Sequence, residues 1–302
     1  MPSAKTTPKN RKRNQPLPPE TVDPRWLLRA GGAVLALGVL CAYISVCALF
    51  YFQQWQFVLH PSHTVAQTPD SQGLRFEAVR FGDDPSGQPQ LTGWWIPSDL
   101  PSDPTVLMLH GQDGSMSDAV PAAKALHDAR MNVLLFDYRG YGQSGGDHPT
   151  EQKMTADASS GLAYLTQTRG ISPTTVLAYG SELGASLAVN LCMHHPELPA
   201  VILQSADGDT ETRVLREERS RMVPLRLFFH ERFLLADPLH TLKTPKLLIS
   251  LTNGHAPVDA QRAADPKLTA ELPPGADAQA TTQVIRRFLD TYVVRPPSLL
   301  KP

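Results

Sequence analysis

The spacing of apolar and polar positions divides the chain into three parts. Residues 1–29 are polar and rich in proline. Residues 30–52 form an apolar run of 23 without a single charge. Beyond it, short apolar runs bounded by glycine, proline or aspartate alternate with longer stretches of helical period. Strands are predicted over 74–81, 91–96, 105–110, 132–136, 175–179, 200–204 and 246–250. Helices are predicted over about 118–129, 154–168, 183–195 and 279–293. The last of these places Val284, Ile285, Phe288, Leu289 and Tyr292 on one face. The first two strands form a hairpin across Gly82–Gly87. Apolar strands alternating with helices then imply a mostly parallel central sheet with helices on both faces. Ligands in such sheets sit beyond the C-terminal strand ends.

At 1.5 Å rise per residue, the run at 30–52 spans a hydrocarbon layer of ~30 Å. All seven basic residues of positions 1–52 precede it, and none lies between Gln53 and Leu74. That asymmetry predicts a single-pass transmembrane helix with the N-terminus in the cytoplasm and the body on the opposite side. Tyr51, Phe52, Trp55 and Phe57 read as an aromatic belt at headgroup depth. A cleaved signal peptide is the rival, but its apolar core of ~7–15 residues is shorter. Six prolines in 1–24 predict a disordered tail, with Arg11-Lys12-Arg13 as a topology signal beside anionic lipid.

Of the 28 basic and 29 acidic residues, positions 53–302 hold 21 and 27. The body is therefore mildly acidic, which argues against nucleic acid as a partner. Of the three cysteines, Cys41 and Cys47 fall in the apolar run and only Cys192 in the body. No disulfide within the body and no metal-ligand spacing follows, and no cofactor is expected.

Three glycine-rich strand ends carry the chemistry: His110-Gly111-Gln112-Asp113-Gly114, Asp137-Tyr138-Arg139-Gly140-Tyr141-Gly142, and Gly180-Ser181-Glu182-Leu183-Gly184. In this order and spacing the chain resembles the α/β-hydrolase superfamily. Within it, the chain is similar to membrane-linked serine hydrolases of the serine aminopeptidase and lysophospholipase type. The resemblance runs from about Gln54 to Leu289. It implies an α/β-hydrolase domain over 53–295, a cap segment at about 209–237 and a short tail at 296–302. It implies a nucleophile on the sharp turn between Gly180 and Gly184, and an oxyanion hole from the backbone N–H groups of Gln112 and Leu183. His110, Asp137 and Arg139 read as scaffold.

The matching positions do not hold a triad. Glu182 stands where the family has serine, and Ser181 is one place early, with its side chain expected to turn away from the pocket. Gly254 falls at the acid position and Asp277 at the histidine position. No histidine follows His255. The sequence therefore predicts a membrane-anchored serine-hydrolase relative with impaired catalysis, a pseudoenzyme whose pocket takes a small acyl or peptide-like ligand. Loss of triad members lowers rates by ~10⁴–10⁶. Two alternatives stay open. One is an active ester or amide hydrolase using Glu182 or Ser181 with a relocated pair such as His255 and Asp207 or Asp209. The other is a membrane-tethered binding scaffold.

Overall fold

The computed structural model describes residues 23–206, 210, 229–251, 262–273, 276 and 278–293. Asp207, Asp209, Gly254, His255, Asp277, the tails and most of the cap segment lie outside the described residues. The chain falls into two compact units, Met1–Leu49 and Phe50–Pro302.

Helix α1 (Pro24–Gln53) fills the described part of the first unit. It starts six residues before the apolar run because Pro24 opens its first turn, where a missing N–H costs nothing. Its 30 residues are ~45 Å long. None is buried, and Leu28, Val34 and Leu35 lie open at its surface. By length and composition the helix suffices to cross a membrane, with a mean hydropathy of 2.5 in its apolar window.

The second unit is built on an eight-stranded sheet. Its strands are β2 (Glu77–Asp83), β3 (Pro89–Ile96), β4 (Thr105–Leu109), β6 (Asn132–Phe136), β7 (Val176–Ser181), β8 (Val201–Gln204), β9 (Lys246–Leu251) and β10 (Lys267–Leu272), in the order β10-β9-β8-β7-β4-β6-β3-β2. Strand β3 runs antiparallel to both its neighbours, and the remaining pairs are parallel. A further two-residue ladder joins β1 (His60–Pro61) to β5 (Asp113–Gly114).

Alternation along the strands feeds two cores. Leu107, Leu109, Leu134 and Phe136 face α3 (Glu151–Ala163) and α4 (Gly184–His194). Val106, Met108, Val133 and Leu135 face α2 (Val120–Asp128) and α6 (Ala278–Tyr292). Between α4 and α6 in sequence lies the short α5 (Ala236–Thr241). The predicted face of α6 is the buried one: Ile285, Phe288 and Leu289 are fully enclosed, with Val284 and Tyr292 packed beside them.

Three elements differ from the sequence expectation. Strand β10 has no apolar signature, because Lys-Leu-Thr-Ala-Glu-Leu lies on the sheet edge and is only partly buried. The β1–β5 ladder is too short to leave a periodicity. The helix expected to run to Thr168 changes to a π-turn over Tyr164–Thr168.

The order of β4 and its neighbours positions the site. The chain leaves β4, forms β6 on one side, then returns to form β7 on the other. The ends of β4 and β7 therefore border a crevice where the strand order reverses, the place where open α/β sheets hold ligands.

Candidate active site

Glu182 occupies the apex of the turn between β7 and α4, with φ of 51°. That left-handed conformation is uncommon for a residue with a side chain, and tight packing around the apex enforces it. A Cβ on Gly180 would come within 2.6 Å of Ala185 Cα, and one on Gly184 within 2.5 Å of the His110 carbonyl oxygen. Only glycine fits at either flank, so the strained turn is kept although its apex is a glutamate. The Glu182 N–H donates to the Gln204 carbonyl at 3.0 Å, tying the turn to β8. The Glu182 carboxylate lies directly over Gly111, where a Cβ would collide with it. Tyr179 beneath has its hydroxyl pKa raised by burial and then by the Glu182 charge.

A cavity of about 290 Å³ opens at this point, bordered by His110, Gly111, Asp113, Asp118, Ser181 and Glu182 among others. Ser181 also borders the cavity.

The structure brings Gln112 and Leu183 together, in a way the sequence does not indicate. The Leu183 N–H, expected to await a developing oxyanion, donates to the Gln112 side-chain Oε1 at 3.2 Å. Gln112 is itself buried. Its backbone carbonyl accepts from the Tyr141 hydroxyl at 2.8 Å and from the His60 N–H at 3.0 Å. The loop is thereby clamped with its carboxamide oxygen on the Leu183 N–H. A glutamine after His-Gly is the one sequence signal for this, and a side-chain direction cannot be read from it.

His110 is the imidazole bordering the cavity among the described residues. Both its nitrogens turn elsewhere. Nδ1 donates to the Gly111 carbonyl at 2.9 Å, leaving Nε2 as a lone pair 3.7 Å from Asp137 Oδ1. Burial lowers the His110 pKa to about 4. Burial raises that of Asp137 to about 6, against the backbone N–H groups of Met116 and Gln143, which favour its charge. A protonated Asp137 faces the Nε2 lone pair better than a carboxylate does. Asp137 Oδ1 accepts from the Met116 N–H at 2.7 Å. Arg139 ties its loop to α3 through Asp157 at 2.7 Å. All three serve as scaffold. A second histidine, His60, meets Asp113 at the cavity rim through a 2.7 Å contact between exposed side chains, made possible by the β1–β5 ladder.

Comparison with known proteins agrees with this architecture. Residues 101–284 match the family model described as serine aminopeptidase, S33. An uncharacterized protein of Mycobacterium tuberculosis is 31% identical over 162 residues, 53% of this chain and 56% of that protein. Protein bem46 of Schizosaccharomyces pombe is 34% identical over 34% of this chain and 35% of its own length. The lysophosphatidylserine lipase ABHD12 of Danio rerio is 29% identical over 60% of this chain and 51% of its own. The chain thus spans about half the length, or less, of these relatives. Among solved structures, the Pyrococcus furiosus esterase Pf2001 superposes with a TM-score of 0.58 at 21% identity, covering 78% of this chain and 98% of the esterase. At that identity the match speaks for the fold. The elbow at Glu182, the sheet order and the family match over most of the body together place this chain in the serine aminopeptidase (S33) family of α/β-hydrolases.

Proposed function

We propose that this protein is a membrane-anchored member of the family whose pocket binds a ligand but whose hydrolytic chemistry is impaired. The observation that carries the reading is Glu182 at the elbow apex, flanked by glycines at which a side chain would collide with backbone. A carboxylate at that point repels the oxyanion that ester or amide hydrolysis must build. The capture of the Leu183 N–H by Gln112 supports the same reading, since loss of one oxyanion donor costs ~10²–10³ in rate. The substitutions Gly254 and Asp277, at the acid and histidine positions of the family pattern, add to it from sequence alone.

The anchor in this reading is the apolar segment at 30–52. It follows a basic cytoplasmic tail over 1–29 and delivers the hydrolase domain at 53–295, with its cap at about 209–237, to the opposite side of the bilayer. The final residues, 296–302, are a tail. The ligand class is a small acyl or peptide-like molecule, in keeping with a relative named as a lysophosphatidylserine lipase.

A second reading, an active hydrolase with relocated groups, draws on Ser181 at the cavity wall and on the unaltered elbow glycines. One experiment separates the two. The full chain in detergent is treated with a fluorophosphonate probe and with a short-chain p-nitrophenyl ester, alongside Ser181→Ala and Glu182→Gln. The impaired reading expects no labelling and no turnover above buffer. Labelling abolished by Ser181→Ala would overturn it in favour of a serine nucleophile. Turnover abolished by Glu182→Gln would overturn it in favour of a carboxylate nucleophile.

A further inference from the structure

Helix α1 ends at Gln53, but its last four residues, Phe50–Gln53, already belong to the second unit. The helix therefore runs into the body without a spacer. The chain beyond it is tied down almost residue by residue. Gln54 is buried, and its carboxamide Oε1 accepts the His230 backbone N–H at 2.8 Å. Trp55, read from sequence as part of an aromatic belt, turns into the body instead, stacked on His148 at 5.2 Å and packed against the core. Val58 and Leu59 are fully buried. The His60 N–H donates to the Gln112 carbonyl at 3.0 Å. His60–Pro61 pairs with Asp113–Gly114, two residues of the cavity wall.

Three aromatic side chains of this stretch are left outside. Tyr51, Phe52 and Phe57 stay exposed, Phe52 to 70%. The other large apolar side chains exposed in the second unit, among the described residues, are Leu100, Met193 and Leu234, widely separated in sequence. Single exposed apolar residues are ordinary on a soluble surface, whereas three aromatics close together in one tied-down stretch form a patch that asks for a partner. The Phe57 ring lies 5.4 Å from that of Phe50, so the turn Gln54–Phe57 folds back beside the helix end rather than leading away from it. The helix says what covers the patch. None of its 30 residues is buried, and its apolar run of 23 is ~35 Å long against a hydrocarbon layer of ~30 Å. On the anchored reading the run fills that layer. Phe50–Phe52 then lie at its edge, the depth at which tyrosine is favoured. Phe57, packed beside Phe50, lies at the same edge. His60 is three residues further on, at most ~11 Å along the chain.

We propose that Tyr51, Phe52 and Phe57 form a collar that seats the body on the bilayer, at the boundary between acyl chains and headgroups, and that this docking holds the His60–Asp113 rim of the cavity at the lipid surface. The partner is the lipid surface itself. The clamped segment 54–61 transmits the position of the collar to the rim, because each end of it is bonded to the body. The pocket then stands among molecules partitioned at the interface. The inference rests on the anchored reading of residues 30–52 and is independent of whether the pocket hydrolyses anything.

The test places a single bimane fluorophore in the full chain, reconstituted in phosphatidylcholine vesicles whose quenching lipids carry a nitroxide on the headgroup or on the acyl chain. Exposed Cys41, labelled in Cys47→Ala, reports on the anchor, and Cys192 is buried. Gln56→Cys, His60→Cys and Leu100→Cys, each with Cys41→Ala and Cys47→Ala, report on the collar, the rim and the far end of the sheet. All three positions are exposed, and Leu100 precedes β4, whose other end borders the cavity. The headgroup nitroxide should quench the labels at 56 and 60 and leave the emission at 100 unchanged, while the acyl-chain nitroxide quenches Cys41. Quenched Cys41 with either 56 or 60 unaffected by the headgroup nitroxide overturns the docking and leaves the anchor standing. An unquenched Cys41 removes the anchor, and the docking with it. Equal quenching at 56, 60 and 100 overturns the assignment to this face. Emission at 56 that follows the protein-to-lipid ratio and ignores the nitroxide gives the collar to a second copy of the chain, and also overturns the proposal.

Discussion

At the scale of single residues, buried polar groups set the character of the site. Gly180 and Gly184 are legible in sequence because their spacing is that of a tight strand-to-helix turn, and Glu182 follows as its apex. The direction of the Gln112 side chain is not legible, since it depends on how the loop after β4 is clamped by Tyr141 and His60. The His110–Asp137 pair yields a prediction. The folded-state pKa of Asp137, about 6, lies above its ordinary 3.8, so the native state binds this proton more readily. Its contribution to stability grows as pH falls from 6 towards 4. The folded-state pKa of His110, about 4, lies below its ordinary 6.5, so its contribution is lost as pH falls through the same window. The two nearly cancel. His110→Gln should therefore gain stability on acidification relative to the wild type. Asp137→Asn should lose about 3 kcal/mol between pH 6.5 and 4. Denaturant midpoints across that range check both, and parallel profiles for all three proteins would refute the burial-driven shifts of the two groups.

Among the elements, the buried strands and amphipathic helices were the easiest to read. Four consecutive apolar positions, Val106–Leu109, predict β4, and the 3.6-residue stripe predicts the face of α6 that packs on α2 through residues such as Phe288. Edge strand β10 is illegible because only one of its six residues is buried, so that position in the sheet, rather than composition, makes it a strand. Lys246 illustrates the same limit. It reads as the polar first residue of β9, yet it is fully buried. Its Nζ donates to the carbonyls of Leu242 at 2.9 Å and Ala264 at 2.7 Å, with Pro266 at 3.4 Å. It thereby joins α5, β9 and the approach to β10. Lys246→Met keeps the length of the side chain but strands these carbonyls, each buried acceptor costing ~1–3 kcal/mol. Thermal unfolding should show a loss of about 3 kcal/mol, and an unchanged midpoint would mean that water reaches the site.

For the whole molecule, the uneven distribution of charge and hydropathy is the dominant feature. A helix of 30 residues with no buried side chain cannot be a core element of a soluble domain. On the anchored reading, the full chain stays in the membrane pellet after alkaline carbonate extraction and retains its original N-terminus. Release into the supernatant, or a mature chain beginning after the apolar run, would identify a cleaved leader instead. The sheet order was accessible only in part. Alternating strands and helices imply parallel pairing, but the reversal that puts β4 between β6 and β7 is a property of the assembled sheet.

By itself, the sequence determined the apolar helix, the two-sided parallel sheet, the sharp elbow and the glutamate at its apex. Each of these follows from local spacing, backbone sterics or the period of side chains. Tertiary structure alone decided that Gln112 fills the Leu183 N–H, that His110 turns from the cavity towards Asp137, and that Gln54 grips His230. Those contacts join residues between 27 and 176 positions apart. Their hydrogen-bond geometry exists only once the chain has been brought together, and no periodicity encodes it.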